Sequence, residues 1–436
     1  MTRTRRKDRD RNSQQPEKAG LAARRAALRL ICDVLDNGGM LSDPGGPGQQ
    51  AAEARALADA VIRHLPRIDA VIGTFVDRMP KSPVSHVLRL MAADLLIRKT
   101  PPHAGVDSAV ALVKADRRSE RFAGLINAVG RKISDRGHEI FQETDHPGLW
   151  MPDWMIPRLS QDWGAETASE IAKAGLEQAP IDITLKVPDD AQAFAQECSG
   201  TVLPTKSVRL NNRPQISALP GYSDGAWWVQ DAAACLPAVM LNAQAGERVL
   251  DLCAAPGGKT LQLAATRAKV TALDISKRRM DRLQKNLDRT GLNAELVIAD
   301  AFAWAPEAPF DAILIDAPCS ATGTLRRHPE LPHRLDQGDL DALCHLQDRL
   351  LRTAFDWLKP GGRLVFSTCS LFKSEGEDRI ASFLEQEPDA KVSKIGSDDG
   401  VPADLISENG WLRSRPDMWP EIGSLDGFFA VRLVRG

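Results

Sequence analysis

The chain has 436 residues, enough for two or three domains with cores of their own. Its hydrophobic (43%) and charged (26%) fractions are ordinary for a globular protein, no apolar run reaches the ~18 residues that suggest a spanning helix, and its seven scattered cysteines make neither a disulfide framework nor a C-x-x-C metal pattern. A formal net charge of −2 excludes a chain that is basic throughout, so any contact with nucleic-acid phosphate has to come from local patches.

The first residues, MTRTRRKDRDRNSQQ, lack the apolar core of a secretory signal. A reducing cytoplasm is the expected setting, where a placed cysteine is more often reactive than bridged. Residues 3–11 carry six Arg or Lys against two Asp. They read either as an arm that touches RNA or as part of a disordered, solvated tail over 1–20. From Leu21 to about Ile140 the pattern is helical: Ala26, Leu30, Val34 and Leu35 recur at helical spacing, as do Leu57, Val61, Ile62 and Leu65, with a Gly/Pro-rich break over 37–48. Further helices are predicted at 87–97, stopped by Pro101-Pro102, then at 106–114 and 122–133. Together they make an all-α domain over 21–142. His64, His86 and His103 read as isolated histidines, and no metal site is expected. HPGLWMPDWMIP (146–157) reads as a connector whose Trp150 and Trp154 are suited either to stack on bases or, the more frequent use, to pack between domains. Strand-like pieces from Ile181 (IDITLKV, then TVLPT) around a helix near Asp190 suggest a small α/β module within 143–225.

From Trp227 to the end, strands and helices alternate, as a doubly wound, mostly parallel sheet requires. Strands are predicted at 248–252, 269–274, 295–299, 312–316, 363–367 and 428–433. Glu375, Glu377 and Asp378 are expected in the first turn of the helix after the fifth strand, where negative charge is favoured. The organising stretch of this 226–436 domain is DLCAAPGGKT, Asp251–Thr260. Pro256, Gly257 and Gly258 let the backbone turn tightly and approach a ligand, with free N–H groups at the carboxyl edge of the sheet. The spacing is not G-x-G-x-x-G. Cys253 also stands where a G-x-x-x-x-G-K-[ST] loop needs its first glycine, so neither a dinucleotide nor a nucleoside triphosphate is indicated.

Three carboxylates end successive strands. Asp274 lies about 20 residues after Asp251, the separation at which a carboxylate meets ribose hydroxyls. Asp300 ends ELVIAD, and Asp316 opens DAPCS. A single such Asp often only caps the next helix; three in register with a Gly-rich turn mark a cofactor cleft. Cys319 in DAPCS and Cys369 in STCS both follow apolar strands. Each alone reads as a buried structural cysteine; both at strand ends beside the same cleft read as functional. A thiolate beside a cofactor cleft is suited to covalent catalysis, and a carboxylate such as Asp316 to holding a substrate ring through hydrogen bonds. Spacing does not say which sulfur attacks.

VQDAAA, DLCAAPGGKT, DAPCSATGTLRRHPE, KPGGRLVFSTCSL and DGFFAVRL occur in the order found in RNA cytosine-5 methyltransferases, which this region resembles over about 220–436. LRLMAADLLIRKTPPHAGVDSAVALVKADRRSERFAGLINAVGRKI, from Leu88, resembles the NusB family of helical RNA-binding domains. The combination is similar to the RsmB/Sun group, whose members methylate a cytosine of small-subunit ribosomal RNA and whose middle module is RRM-like. The resemblance implies S-adenosyl-L-methionine as cofactor, held by Cys253, Ala254, Ala255, Pro256, Gly257, Gly258, Lys259, Asp274, Asp300 and Asp316. It also implies Cys369 as nucleophile and Cys319 as the helper in product release. Two segments depart from the group's pattern, Leu331-Pro332-His333-Arg334 and Lys373-Ser374-Glu375-Gly376, and both are expected nearer the RNA than the cofactor.

Arg326, Arg327 and His328 follow the DAPCSATGT turn and are expected to contact RNA phosphate beside a flipped base. Lys277, Arg278, Arg279, Arg282, Lys285 and Arg289 read as the solvated face of a helix. The expected partner is small-subunit ribosomal RNA, with no membrane, no metal and a monomeric chain. Transfer RNA as substrate is the competing enzyme reading. An RNA-binding assembly or antitermination factor is the competing non-enzyme reading, against which the full set of Cys319, Cys369, Asp316 and the Gly-rich loop speaks.

Overall fold

A computed structural model describes residues 19–42, 45, 48–335 and 337–436; the basic stretch 3–11 lies outside them. The chain divides into two compact units, Met1–Leu149 and Trp150–Gly436. The first is helical: α1 (Ala19–Asn37), α2 (Gly48–Arg63), α3 (Leu65–Gly73), α4 (Val84–Leu96), α5 (Pro102–Lys114) and α6 (Ala123–Glu143). Prolines set the joints. Pro66 sits in the first turn of α3, and Pro102 opens α5, where a missing N–H costs nothing. The Pro101-Pro102 pair thus starts a helix as well as ending one, and α6 runs well past Ile133. Ile31, Leu57, Ile62, Ile68, Ile72 and Leu88 are fully buried in one core, and Arg24 pairs with Asp94 (2.6 Å) to tie α1 to α4.

The second unit begins with α7 (Met155–Trp163) and α8 (Ala165–Gly175), where the sequence suggested only a connector. Met155, Leu159 and Ile171 pack with Leu325, Leu371 and Phe372. Trp154 Nε1 donates to the Pro332 carbonyl (3.1 Å) and Trp163 Nε1 to that of Leu371 (2.8 Å). These tryptophans buttress the loops that carry Pro332 and Leu371.

A small antiparallel sheet follows, in the order β2 (Gly200–Val202), β3 (Val208–Leu210), β1 (Ile181–Leu185), β4 (Trp227–Val229), with α9 (Ala191–Glu197) between β1 and β2. Trp227–Val229 falls within the predicted 226–436 domain, yet it pairs with Ile183–Leu185 of the small sheet. α10 (Leu236–Leu241) leads into the main sheet, made of β5 (Arg248–Leu252), β6 (Lys269–Asp274), β7 (Glu295–Ile298), β8 (Phe310–Asp316), β9 (Leu358–Thr368), β10 (Ala390–Val392), β11 (Leu412–Ser414) and β12 (Phe428–Arg435). Its helices are α11 (Gly258–Ala265), α12 (Lys277–Thr290), α13 (Gln337–Asp356) and α14 (Glu377–Gln386). The strand order is 10-12-9-8-5-6-7, with β11 on β12. Strands β5 to β9 are parallel and β12 is antiparallel to β9. Both faces are covered, so Ile313, Leu314 and Ile315 are all fully buried. Strand order reverses between β5 and β8, the switch point where open α/β sheets bind ligands.

Candidate active site

The loop after β5 and the loop after β8 open side by side at this switch point, because Leu252 is in register with Ile315. The next neighbour is β9, where Asp316 is in register with Ser367. Parallel register therefore brings the Gly-rich turn, Cys319 and Cys369 to one edge.

In the Gly-rich turn Cys253 has φ +63° and Gly257 φ +110°. A Cβ on Gly257 would lie 2.2 Å from Leu283 Cδ1, so the turn closes on α12 only with glycine there. The Ala255 N–H donates to Asp274 Oδ2 (3.2 Å). Asp274 is buried, and it also accepts from the Ser276 N–H and pairs with Arg279 (2.8 Å). Asp300 is exposed and accepts from the Phe302 N–H (2.9 Å). Asp251 is fully buried. Its Oδ2 accepts from Thr260 Oγ1 (2.6 Å), while Oδ1 has no partner among the described residues. Burial pushes its carboxyl up to about 7, with the Asp316 and Asp274 charges adding and the Thr260 bond opposing. Cys253 is raised too, chiefly by burial, which makes it an inert thiol.

Lys259, in the first turn of α11, is buried, and its Nζ lies 2.8 Å from Asp316 Oδ2 and 5.1 Å from the centre of the Phe428 ring. Burial alone would lower the ammonium; Asp316 outweighs it, Cys369 adds in the same sense, and the pKa lies above its ordinary value. The sulfurs of Cys319 and Cys369 are 3.4 Å apart. Contact with Cys369, then burial, then the Glu375 charge raise the Cys319 pKa well above that of a free thiol, so Cys319 stays protonated. Asp316 keeps about a third of its side chain exposed at the mouth of this pair.

Glu375 corrects the expectation drawn from charge pattern. Glu377 and Asp378 do occupy the first turn of α14, but Glu375 precedes it in a 3₁₀ turn and is fully buried between the two cysteine loops. The 373–376 segment is thus folded in beside the two cysteine loops through Glu375.

The expected phosphate contacts need a larger correction. Arg326 is buried and donates to the Gly423 carbonyl (2.8 Å). Arg327 bridges Asp231 (2.6 Å) and Asp426 (2.8 Å) and donates to the Pro180 carbonyl (3.2 Å). Nearby, Asp182 of β1 pairs with Arg209 of β3 (2.7 Å) and accepts from the Ala232 N–H. These buried ions join the small sheet to the main one, and the guanidinium groups are consumed in doing so. Of the three residues only His328 has an exposed side chain, 3.5 Å from Glu330. On α12, Arg279 and Arg289 are engaged by Asp274 and by the carbonyls of Tyr222 and Trp227; Lys277, Arg278, Arg282 and Lys285 are exposed.

In the helical unit, His86 is not isolated. Its ring lies with Cys32 and Asp36 in a group that could hold a metal. Arg89 reaches Nδ1 (3.0 Å), and an arginine only donates, so the ring proton sits on Nε2 and points at Asp36 Oδ1 (3.0 Å). The arrangement reads as a hydrogen-bond chain.

Residues 238–434 match the family 16S rRNA methyltransferase RsmB/F, and residues 21–135 match the NusB family. Ribosomal RNA small subunit methyltransferase B of Xanthomonas campestris is 34% identical over 96% of this chain and 98% of its own length. The chain belongs to the RsmB/F family. The protein of the same description in Klebsiella pneumoniae is 33% identical over 96% of this chain and 99% of its own. Among solved structures, a methyltransferase homologue from Pyrococcus horikoshii is 28% identical with a TM-score of 0.55, over 65% of this chain and 95% of that one. The crystal structure of PH0851 shares the fold at a TM-score of 0.72 and 24% identity, over 94% of this chain and 98% of that one. The cofactor of an RsmB/F enzyme is S-adenosylmethionine, and the cleft fits it. Asp251 Oδ1 is a buried acceptor awaiting a donor, Gly257 clears the turn, and Ile275 (68% exposed), which sequence reasoning missed, stands beside Asp274 as an uncovered apolar surface. No helix among the described residues is long and apolar enough to cross a membrane.

Proposed function

We propose that this chain methylates carbon 5 of a cytosine in small-subunit ribosomal RNA, in the cytoplasm, as a monomer and without a metal. The observation that carries the reading is the pair of sulfurs 3.4 Å apart beside the Lys259–Asp316 ion pair at the mouth of the Gly-rich turn. S-Adenosylmethionine, when bound, supplies an electrophilic methyl group. Asp251, Asp274, Asp300, Ile275 and the 253–259 turn hold it. The Cys369 thiolate adds to carbon 6 of the cytosine, which places electron density on carbon 5. The Asp316 carboxylate accepts from the exocyclic amine and the protonated ring nitrogen, which stabilises the adduct. Once carbon 5 is methylated, a base takes its proton and the Cys369–carbon 6 bond breaks. Cys319, a protonated thiol at van der Waals distance from Cys369, assists that release.

The test uses purified protein, radiolabelled S-adenosylmethionine and unmodified small-subunit ribosomal RNA. Label is expected as 5-methylcytidine, abolished in Cys369→Ala, with a gel-stable RNA adduct accumulating in Cys319→Ala. An adduct that forms in Cys369→Ala but not in Cys319→Ala reverses the two roles. Label entering transfer RNA but not ribosomal RNA removes the proposed substrate.

A further inference from the structure

One buried carboxylate lies between the cysteine loops and is not used in the chemistry above. Glu375 Oε1 accepts from the Ser320 N–H (2.9 Å) and from Gln347 Nε2 (3.1 Å), and Oε2 accepts from the Ser370 hydroxyl (2.6 Å). Ser320 follows Cys319 and Ser370 follows Cys369, so a single side chain grips the residue next to each sulfur. The hydroxyls of Ser320, Thr322 and Ser370 lie 3.1 to 3.3 Å from one another and close the contact. On the other side of Cys319, Gln347 donates to the Pro318 carbonyl (2.9 Å), and the Glu375 carbonyl accepts from Thr368 Oγ1 (3.1 Å). Among the described residues no cation pairs with Glu375. A fully buried, cation-free carboxylate is costly to hold unless its hydrogen bonds are needed.

We infer that Glu375 is a positioning residue for methyl transfer, tying the Cys319 loop to the Cys369 loop and setting the spacing of the two sulfurs. The inference rests on the two-cysteine reading of the site. It explains why the 373–376 segment is folded inward, and its charge is one of the influences that keep Cys319 protonated.

The experiment compares Glu375→Ala and Glu375→Gln in the full chain. Gln keeps an acceptor for the Ser320 N–H and meets Ser370 as a donor; Ala keeps neither. In Glu375→Ala kcat should fall about 100-fold, the effect of a displacement near 1 Å, with KM for ribosomal RNA and for S-adenosylmethionine changing less than about threefold. Glu375→Gln should recover most of that loss. A second readout needs no activity. Diamide takes two electrons and two protons from a thiol pair, and closure of a Cys319–Cys369 disulfide, followed by mass spectrometry, should be at least about tenfold slower in Glu375→Ala than in wild type or Glu375→Gln. Unchanged kcat, or lost kcat with an unchanged rate of closure, overturns the inference. If wild type makes no 5-methylcytidine while closure is slowed in Glu375→Ala, the cysteine chemistry fails and the tether stands. Should Glu375→Ala not fold, Ser370→Ala removes the Oε2 contact, together with the hydroxyl's contacts to Ser320, Thr322 and the Phe372 N–H, but leaves both Oε1 contacts in place, and should lower kcat by an intermediate factor; wild-type kcat there overturns the inference as well.

Discussion

Replacing Arg327 with Met keeps the length of the side chain and removes its charge, which separates a structural cation from one that binds RNA. The guanidinium holds Asp231 at 2.6 Å and Asp426 at 2.8 Å, and those carboxylates are only 5% and 2% exposed. Burial would raise Asp231, but Arg327 outweighs it and holds the carboxyl below its ordinary range. Asp426 is pushed up to about 7 by burial and by Asp231, with Arg327 opposing. Taking the cation away leaves two buried carboxyls facing one another. Breaking such a pair costs about 3–5 kcal/mol, and the lower end applies because the Arg327 side chain is 24% exposed. For a unit of this size that is a drop in Tm on the order of 5–10 °C. The measurement is direct, since all nine tryptophans lie in the second unit and their fluorescence follows its unfolding alone. The deficit should also depend on pH. Both carboxyls have raised folded-state pKa values once Arg327 is gone, so protonation stabilises the variant and that stability is lost as pH rises. The gap from wild type should therefore narrow from pH 8 to pH 6. An unchanged melt, with a raised KM for RNA and a salt slope reduced by about one, would refute this reasoning and return Arg327 to the phosphate backbone.

Two further predictions concern the cofactor cleft. With its carboxyl near 7 and Oδ1 unpartnered, Asp251 should make S-adenosylmethionine affinity rise from pH 6 to pH 8, by up to about tenfold per unit below the midpoint. Calorimetric titration of Asp251→Asn should show that slope abolished, and an unchanged slope would exclude Asp251 as its source. In the protein without cofactor the sign is opposite: the stability carried by protonated Asp251 is lost as pH rises through about 7. Gly257→Ala puts a Cβ 2.2 Å from Leu283 Cδ1 and an L-residue at φ +110°, a strain of about 1–3 kcal/mol before the clash is counted. Cofactor Kd should rise by about tenfold or more. Adding Leu283→Ala should recover only the part due to the clash, and full recovery would show that backbone strain at 257 is negligible.

What the sequence made legible and what it hid divide along a physical line. The Gly-rich turn, Asp274, Asp316, Cys319 and Cys369 sit at strand ends, and parallel pairing carries strand ends to one edge whatever the intervening helices do. Their proximity follows from topology, so a motif and a strand suffice to place them. Charged groups carry no such guarantee. Arg326-Arg327 reads as a basic patch because residue type is visible and partners are not; Asp231 and Asp426 approach Arg327 from nearly a hundred residues away on either side. Glu375 was drawn toward a helix start by a local rule that its neighbours Glu377 and Asp378 obey, while its own partners, Ser320 and Gln347, come from other elements. The helices of 155–175 escaped for a related reason, since their apolar faces are answered by Leu325, Leu371 and Phe372 far along the chain.

The same division bears on how the RNA is met. The guanidinium groups of Arg326 and Arg327 are spent on joining the small sheet to the main one, which leaves His328 as the exposed member of the expected trio. Ribosomal RNA affinity should therefore come from surfaces outside the 326–328 turn, and cations near the cleft should act on catalysis through fold and cofactor geometry. An Arg326 or Arg327 variant that loses activity thus has to be read first in its melting curve and only then in its KM.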